Sequence, residues 1–556
     1  MKQEFNPSIF DRDSRGRERA MAWKRYHSSS MHPPSIPARR RPESSPDDAL
    51  PPPWVLLDDR AYLAGESNHS TAVSHTRHGD QIQATFFLAD PPLVSYFAVS
   101  CAAELGCEPR ILYTEANLVL LVSVPGDPRN AIDPRKNDFY VYDAGPPKAT
   151  LTLLPHPPPD LFPFPRDRCY YFHDCQVGLL RHRRNSDDGG GGGFYLGQHR
   201  PRAYDAYIVA ALCTRLTFPE TLGLYTYVSD TEVWSSKPAS FPDGGKLPRA
   251  ALRCDKVITI GGEAGTMAWV DLMRGIILCD VLPLDDDAKT LGYIPLPDPI
   301  RPDDTIDESG GMYRDVAVVG SRIKYAEVKM HVRPGSAGPK GSFTIDGWTA
   351  VVWSRPANSF KESTTWRKDH EVHAHEVSFV DGKNKTAPGF ELLPAVVDHQ
   401  GNPQPTLVGI HVGHPKLSLH VGDNTLYLMA KLNRWYDKAW VIAVDMKNKR
   451  LRGVADFGGA PRCMAFLHAY RQSRISEHLN VSQPQGTKSH LKRPGMPLPH
   501  GSSHKKPEIP PHHVMHHCPS GQNPRATWPT FPAQTTDEED YDDDERTRMA
   551  DDMDLE

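Results

Sequence analysis

The chain has 556 residues, 53 of them Pro, which excludes a protein built mainly of helices because each proline removes a backbone donor and breaks a helix interior. A formal net charge of −5 excludes a nucleic-acid footprint over the molecule as a whole, and no apolar run reaches the ~18–20 residues that cross a bilayer. The nine Cys are odd in number, dispersed, and set in apolar runs at Cys213 and Cys279, which reads as reduced thiols of an intracellular protein, cytoplasmic or nuclear.

Residues 1–51 form a basic arm rich in Pro, Ser and Arg, with too few spaced apolar positions to bury a core, and are expected to be disordered. Within the arm, Arg39-Arg40-Arg41 offers a site for RNA, DNA or an import receptor, but a solubilising role for the disordered arm is the favoured reading. From residue 52 the pattern changes to short strand-like runs separated by turn residues. A first group spans 54–100 ("WVLLDDRAYL", "IQATFFLAD", "VSYFAVS") and a second spans 110–154 ("ILYTEANLVLLVSV", "DFYVYDAG", "ATLTLLP"). The glycine run within 187–193 predicts a flexible surface loop. A third group follows at 207–236.

The fourth group, 256–297, is the most regular. "KVITI" enters the corner Gly261-Gly262-Glu263-Ala264-Gly265, and "MAWVDLM", "IILCDVL" and "LGYIPLP" follow. The corner is not a phosphate cradle. It lacks the Lys-Ser/Thr pair of a P-loop, carries a carboxylate that would repel phosphate, and leads into a strand where a dinucleotide site needs a helix. The glycines are read as supplying positive φ for a strand connection.

A fifth group lies at 315–380 and a sixth at 417–457, where "LSLHV", "TLYLMAKL", "KAWVIAVD" and "RLRGVADF" are joined by short turns. Such connections dictate antiparallel meanders, since parallel pairing needs crossovers of a dozen or more residues. "RCMAFLHAYRQSRISEHL" (462–479) has apolar residues near helical spacing and predicts a terminal helix. Residues 480–556 are read as a disordered tail, first His- and Pro-rich and then acidic. A lone four-stranded sheet has two faces to cover, and radial stacking of several covers both. The expected fold is therefore all-β, a β-propeller-like array of four-stranded antiparallel meanders over 52–479. About six blades are expected, five to seven fit the spacing, and a pair of β-sandwiches is the alternative.

Few residues offer chemistry. His373 and His375 alternate on a predicted strand, a His-x-His geometry found in some zinc sites, with ~6.8 Å between Cα atoms, although a hydrogen-bonded or solvent-facing pair is the favoured reading. The tail segment "PPHHVMHHCPS" (510–520) carries four His and Cys518, and incidental composition explains it better than a metal site does. The Asp285-Asp286-Asp287 and Asp303-Asp304 runs sit in Pro-rich loops as solvated charge, and no nucleophile elbow is present. No cofactor is expected.

With these motifs laid out, the core resembles the plant domain-of-unknown-function 1618 family, which is expanded in grasses. The resemblance is carried most specifically by "KVITIGGEAGTMAWVDLMRGIILCDVL", "YRDVAVVGSRIKYAEV", "WRKDHEVHA", "GHPKLSLH" and "DKAWVIAVDMKNKRL". "FYVYDAG" and "TEVWSSK" also resemble blade motifs of F-box-associated and kelch-type propellers. The family implies no activity and supplies no catalytic residue. The expected function is a non-enzymatic protein- or peptide-binding scaffold, with Trp366, Trp435 and Tyr436, in or near predicted turns, as anchors. The alternatives are a metal-dependent or hydrolytic enzyme using a central channel with His373 and His375 as ligands, and a nuclear regulator acting through the charged tails.

Overall fold

The computed structural model describes Pro34 and residues 51–479, apart from 146, 159–160, 162–171, 183–205, 216–220, 243–253, 283, 301–309, 339–342, 359–364, 382, 398–402, 434–435, 437 and 458–467. The chain divides into two units, Met1–Gln483 and Pro484–Glu556, and all described residues belong to the first. The readings made for the basic arm, the glycine run and the tail lie outside the described residues.

The described chain is all-β. In chain order, β1 (Val55–Asp58), β2 (Tyr62–Leu63), β3 (Ala72–His75), β4 (Gln81–Phe87) and β5 (Val94–Cys101) form the first group. The second is β6 (Arg110–Glu115), β7 (Leu118–Ser123), β8 (Asp138–Asp143) and β9 (Thr150–Leu153). The third is β10 (Val177–His182), β11 (Ala206–Arg215), β12 (Thr221–Val228) and β13 (Val233–Ser240). The fourth is β14 (Lys256–Gly261), β15 (Thr266–Asp271), β16 (Gly275–Asp280) and β17 (Lys289–Pro295). The fifth is β18 (Arg314–Val319), β19 (Arg322–Val332), β20 (Ile345–Pro356) and β21 (Arg367–His373), followed by the small ribbon β22 (Ala395–Val397) and β23 (Pro403–Pro405). The sixth is β24 (His411–Leu417), β25 (Thr425–Lys431), β26 (Trp440–Asp445) and β27 (Arg450–Asp456), and β28 (Tyr470–Ser473) ends the series.

The second to sixth groups are antiparallel meanders, as their short connections require. The Gly corner is such a connection: Gly261, Gly262 and Gly265 all take positive φ between β14 and β15, and a strand follows, not a helix. Inner strands are buried along their whole length on both faces, as in β7, β15, β25 and β26. Outer strands such as β9 alternate exposed and buried positions. Sheets buried on both faces must be stacked between other sheets. The contacts show how: β6 lies beside β10, β10 beside β14, β14 beside β18, β18 beside β24, β24 beside β28, and β28 beside β6.

Two groups are spliced at their outer edges. β13 and β17 pair in parallel over Ala239↔Lys289 and Ser240↔Thr290, giving an eight-stranded sheet whose end strands β10 and β14 lie together. It is a nearly closed barrel filled by Leu179, Leu212, Tyr225, Trp269 and Ile277, all of them buried.

Four expectations need correction. Of the stretch 462–479, the described residues 468–479 do not make a helix: β28 pairs antiparallel with β1 (Val55↔Ser473 to Asp58↔Tyr470), and only a one-turn 3-10 segment, Ile475–His478, follows. A strand partner from the other end of the domain overrides the local helical spacing. The first group is not a meander either, because its order is β28-β1-β5-β4-β3, with β1 and β2 both parallel to β5. The sixth sheet starts at His411 rather than 417; a bulge between Gly413 and Lys416, with His414 at φ 48°, interrupts the apolar pattern there. Strand β10 was not anticipated at all. No helix among the described residues is long and apolar enough to cross a membrane.

Candidate functional site

Residues of β6, β14, β18, β24 and β28 line a cavity of about 660 Å³. Its polar lining centres on Asp315 at the start of β18, whose side chain is fully buried. Lys256 Nζ from β14 donates to Asp315 Oδ1 at 2.9 Å, Lys416 Nζ from β24 at 3.5 Å, and Gln472 Nε2 from β28 donates to Oδ2 at 2.6 Å. Burial alone would push the Asp315 carboxyl up, but the two ammonium groups outweigh it and hold the pKa below the usual range. The same burial lowers the Lys416 pKa, with Asp315 opposing it. One carboxylate thus ties strands from four sheets.

The opposite wall is also bonded between sheets. Tyr113 Oη on β6 and Thr259 Oγ1 on β14 lie 2.8 Å apart, and Thr259 donates to the Leu179 carbonyl of β10 at 3.0 Å. Arg471 on β28 donates to the Leu112 carbonyl of β6. Among the described residues Arg471 Nε and Tyr470 Oη are buried without a hydrogen-bond partner. Glu115, half-buried beside Thr259, is pushed up to about 7 by burial, against the pull of Thr259, Arg474 and Arg181. It is the carboxyl in this cavity suited to give and take a proton near neutrality. The thiols of Cys213, Cys254 and Cys279 are raised by burial and stay protonated at neutral pH, so they are poor nucleophiles.

A second concavity, about 510 Å³, lies between the fifth and sixth sheets. Its walls carry Arg322, Lys324, Arg367, Lys368 and His370, and Val421 stands at its rim, 67% exposed. Val319 lines this groove and its chain neighbour Gly320 lines the larger cavity, so the two concavities approach each other at the end of β18.

The predicted histidine pair is brought together, but not as anticipated. β21 ends at His373, and His375 sits on the 3-10 turn Ala374–Glu376, so the two do not alternate on one strand. Their rings stack at 5.7 Å. His373 Nδ1 lies 2.8 Å from Thr349 Oγ1 and its Nε2 lies 3.8 Å from Glu371. Neither histidine lines the central cavity. A different set could take a cation: Asp58, Asp59 and His468 place three ligand atoms within 4.8 Å of one another, a two-carboxylate, one-imidazole group suited to a divalent transition metal. His468 Nε2 already hydrogen-bonds Asp58, which also latches the segment before β28 to the end of β1.

Of the proposed anchors, Trp366 is half-buried, with its indole N–H donating to the Pro295 carbonyl at 2.8 Å and Arg355 over its ring. Tyr436, also half-buried, stacks at 6.4 Å on Trp440. Trp435 lies outside the described residues. Asp315, Lys416, Arg322 and Lys324 were not singled out from sequence. The signal was present but weak: each is a charged residue alternating with apolar ones in a strand run, in "RDVAVVG", "HPKLSLH" and "RIKYAEV".

With this geometry in place, comparison with known proteins finds a family match over residues 269–427, to a family described as "Protein of unknown function (DUF1618)". The match covers less than a third of the chain. The DUF1618 match runs from β15 into β25 and contains Asp315, Lys416 and all lining residues of the basic groove. No curated protein matches the chain. Among solved structures it is similar to a protein of unknown function from Dyadobacter fermentans DSM 18053, at 11% identity and TM-score 0.25, covering 72% of this chain and 96% of that one. It is similar to the Trypanosoma rangeli sialidase in complex with the inhibitor DANA, at 9% identity and TM-score 0.18, covering 73% and 52%. The tail fiber of Staphylococcus aureus phage P68 gives 8% identity and TM-score 0.14, covering 70% and 83%. Likenesses at this level carry no argument about activity.

Proposed function

We propose that this protein is a non-enzymatic scaffold that binds a protein or peptide, and that its sheets are the blades of a six-bladed propeller. The propeller reading is supported by the closed cycle of strand contacts from β6 through β28 and back to β6, and by strands buried on both faces. The observation that carries the scaffold reading is how the polar groups lining the cavity are used. Asp315, Lys256, Lys416, Gln472 and Arg471 bond one sheet to the next and are thereby committed to the architecture. The charged groove between the fifth and sixth sheets is the surface left for a partner.

Site-specific photo-crosslinking in intact cells tests this reading. A photoreactive residue at the exposed Val421 should capture a discrete protein, while one at Val73, 47% exposed on β3, should not. Indistinguishable capture from both positions would refute it. Glu115 favours a second reading, proton-transfer chemistry in the cavity, because its carboxyl titrates near neutrality there. That reading requires a turnover abolished in Glu115→Gln.

A further inference from the structure

The groove between the fifth and sixth sheets is not uniformly committed. Arg367 pairs with Asp369 at 2.8 Å and Lys368 with Glu371 at 2.8 Å, while His370 Nε2 lies 3.2 Å from Asn424 Oδ1. Two cations differ. Arg322 spends its Nε on Ser354 Oγ at 3.0 Å, and no bond of its two terminal nitrogens is found among the described residues. Lys324, half-buried two residues along the same face of β19, has no hydrogen bond or ion pair among the described residues. Burial lowers its pKa, Asp369 and Asp423 oppose that, and Arg322 adds a like charge beside it.

Two neighbouring cations in a half-buried groove, one of them without a direct ion pair among the described residues and reached by Asp369 and Asp423 only through space, form a site that can accept an anion. The surroundings limit the anion's carrier. A nucleic acid needs a broad basic surface, whereas Asp369 and Glu371 flank this groove and the chain is net negative at −5. The exposed Val421 on the rim offers apolar contact that a linear peptide can use and a free small ion cannot.

We propose that Arg322 and Lys324 receive an anionic side chain of a linear peptide, seated in the groove with its backbone passing Val421. This rests on the scaffold reading above and names the chemistry of its partner. Carboxylate and phosphate share that chemistry, and the test separates them.

Three fluorescent ten-residue probes suffice, one bearing a central Asp/Glu cluster, one a single phosphoserine in place of the cluster, and one with Asn and Gln in place of every acid. Binding to the full-length protein is followed by anisotropy. At least one of the two anionic probes should bind, the neutral probe should not, and affinity should fall as salt rises. Arg322→Met with Lys324→Met should weaken binding tenfold or more. Because burial outweighs the attraction of Asp369 and Asp423 at Lys324, Lys324→Met should keep a melting temperature at or above wild type, so lost binding in that variant is not lost folding.

Equal binding of the neutral probe, unchanged affinity in the double variant, or no binding of either anionic probe would each overturn the assignment. If crosslinking at Val421 still captures a protein when the anionic probes fail, the scaffold reading survives and this assignment does not. If crosslinking fails as well, both fall.

Discussion

The sheet β24–β27 draws all its strands from one continuous stretch, His411 to Asp456, and pairs each with its sequence neighbour. The sheet β28-β1-β5-β4-β3 joins the two ends of the described domain, and its His468–Asp58 hydrogen bond links residues 410 positions apart. Both bury apolar strands, yet they differ in what holds them. Local pairing closes short loops, whose entropic cost is small, while pairing across the domain is favoured only when the intervening sheets are already in place. The first kind of sheet makes the blocks. The second makes the cavity, because β28 supplies Gln472 to Asp315 and Arg471 to the β6 backbone.

The largest effect is expected where the closing sheet meets the others. Asp315→Ala leaves Lys256 and Lys416 without their shared carboxylate in a buried site, a loss of about 3–5 kcal/mol in denaturant unfolding. Hydrogen exchange should then rise in β28 and β18 together, and exchange confined to β18 would count against Asp315 as a link between sheets. Next is Leu428→Ala in β25, a fully buried side chain, at about 2–4 kcal/mol. Here protection should drop first across β24–β27 with β1 and β28 following, and the reverse order would break the distinction between the two sheets.

His468→Ala is expected to cost about 1–3 kcal/mol by leaving the buried Asp58 carboxylate without its imidazole. Its exchange signature should be restricted to β1 and β28. The smallest effect depends on pH. Glu115 is pushed up to about 7 in the folded chain, above the ~4.3 of an unfolded one, so the folded state holds the proton more tightly between those values. Stability therefore falls as pH rises from ~4.3 through 7, and the penalty is complete above that. Glu115→Gln should match wild type near pH 4 and exceed it by about 1–3 kcal/mol near pH 8, measured by urea titration at both values. Equal stability at pH 8 would show the carboxyl to be solvated.

What was legible in the sequence follows the same division. The meander β14–β17 could be read because Gly261 and Gly262 mark its corner and because β15 and β16 are continuous apolar runs. The extent of β24 was misjudged where the bulge at Gly413–Lys416 breaks the periodicity. Tyr470–Ser473 read as helical because nothing near it announces a partner at Val55–Asp58. The site was obscured for a related reason. His373 and His375 look like a ligand pair along the chain, but the strand stops between them. Asp315, Lys256, Lys416 and Gln472 are scattered along the sequence and acquire a common purpose only when their four sheets meet.

The parallel splice between β13 and β17 has a consequence beyond the barrel it nearly completes. An outermost strand exposes a row of unsatisfied amides and carbonyls that can recruit a strand from another molecule. Ala239 and Ser240 turn part of that row toward Lys289 and Thr290, so two of the sheets cap each other's margins and offer less template for self-association. Lys289, buried and bonded to Asp286 at 2.9 Å, places a charge in the seam that an intruding apolar strand would have to desolvate. The domain thereby carries its own safeguard against clumping on that side.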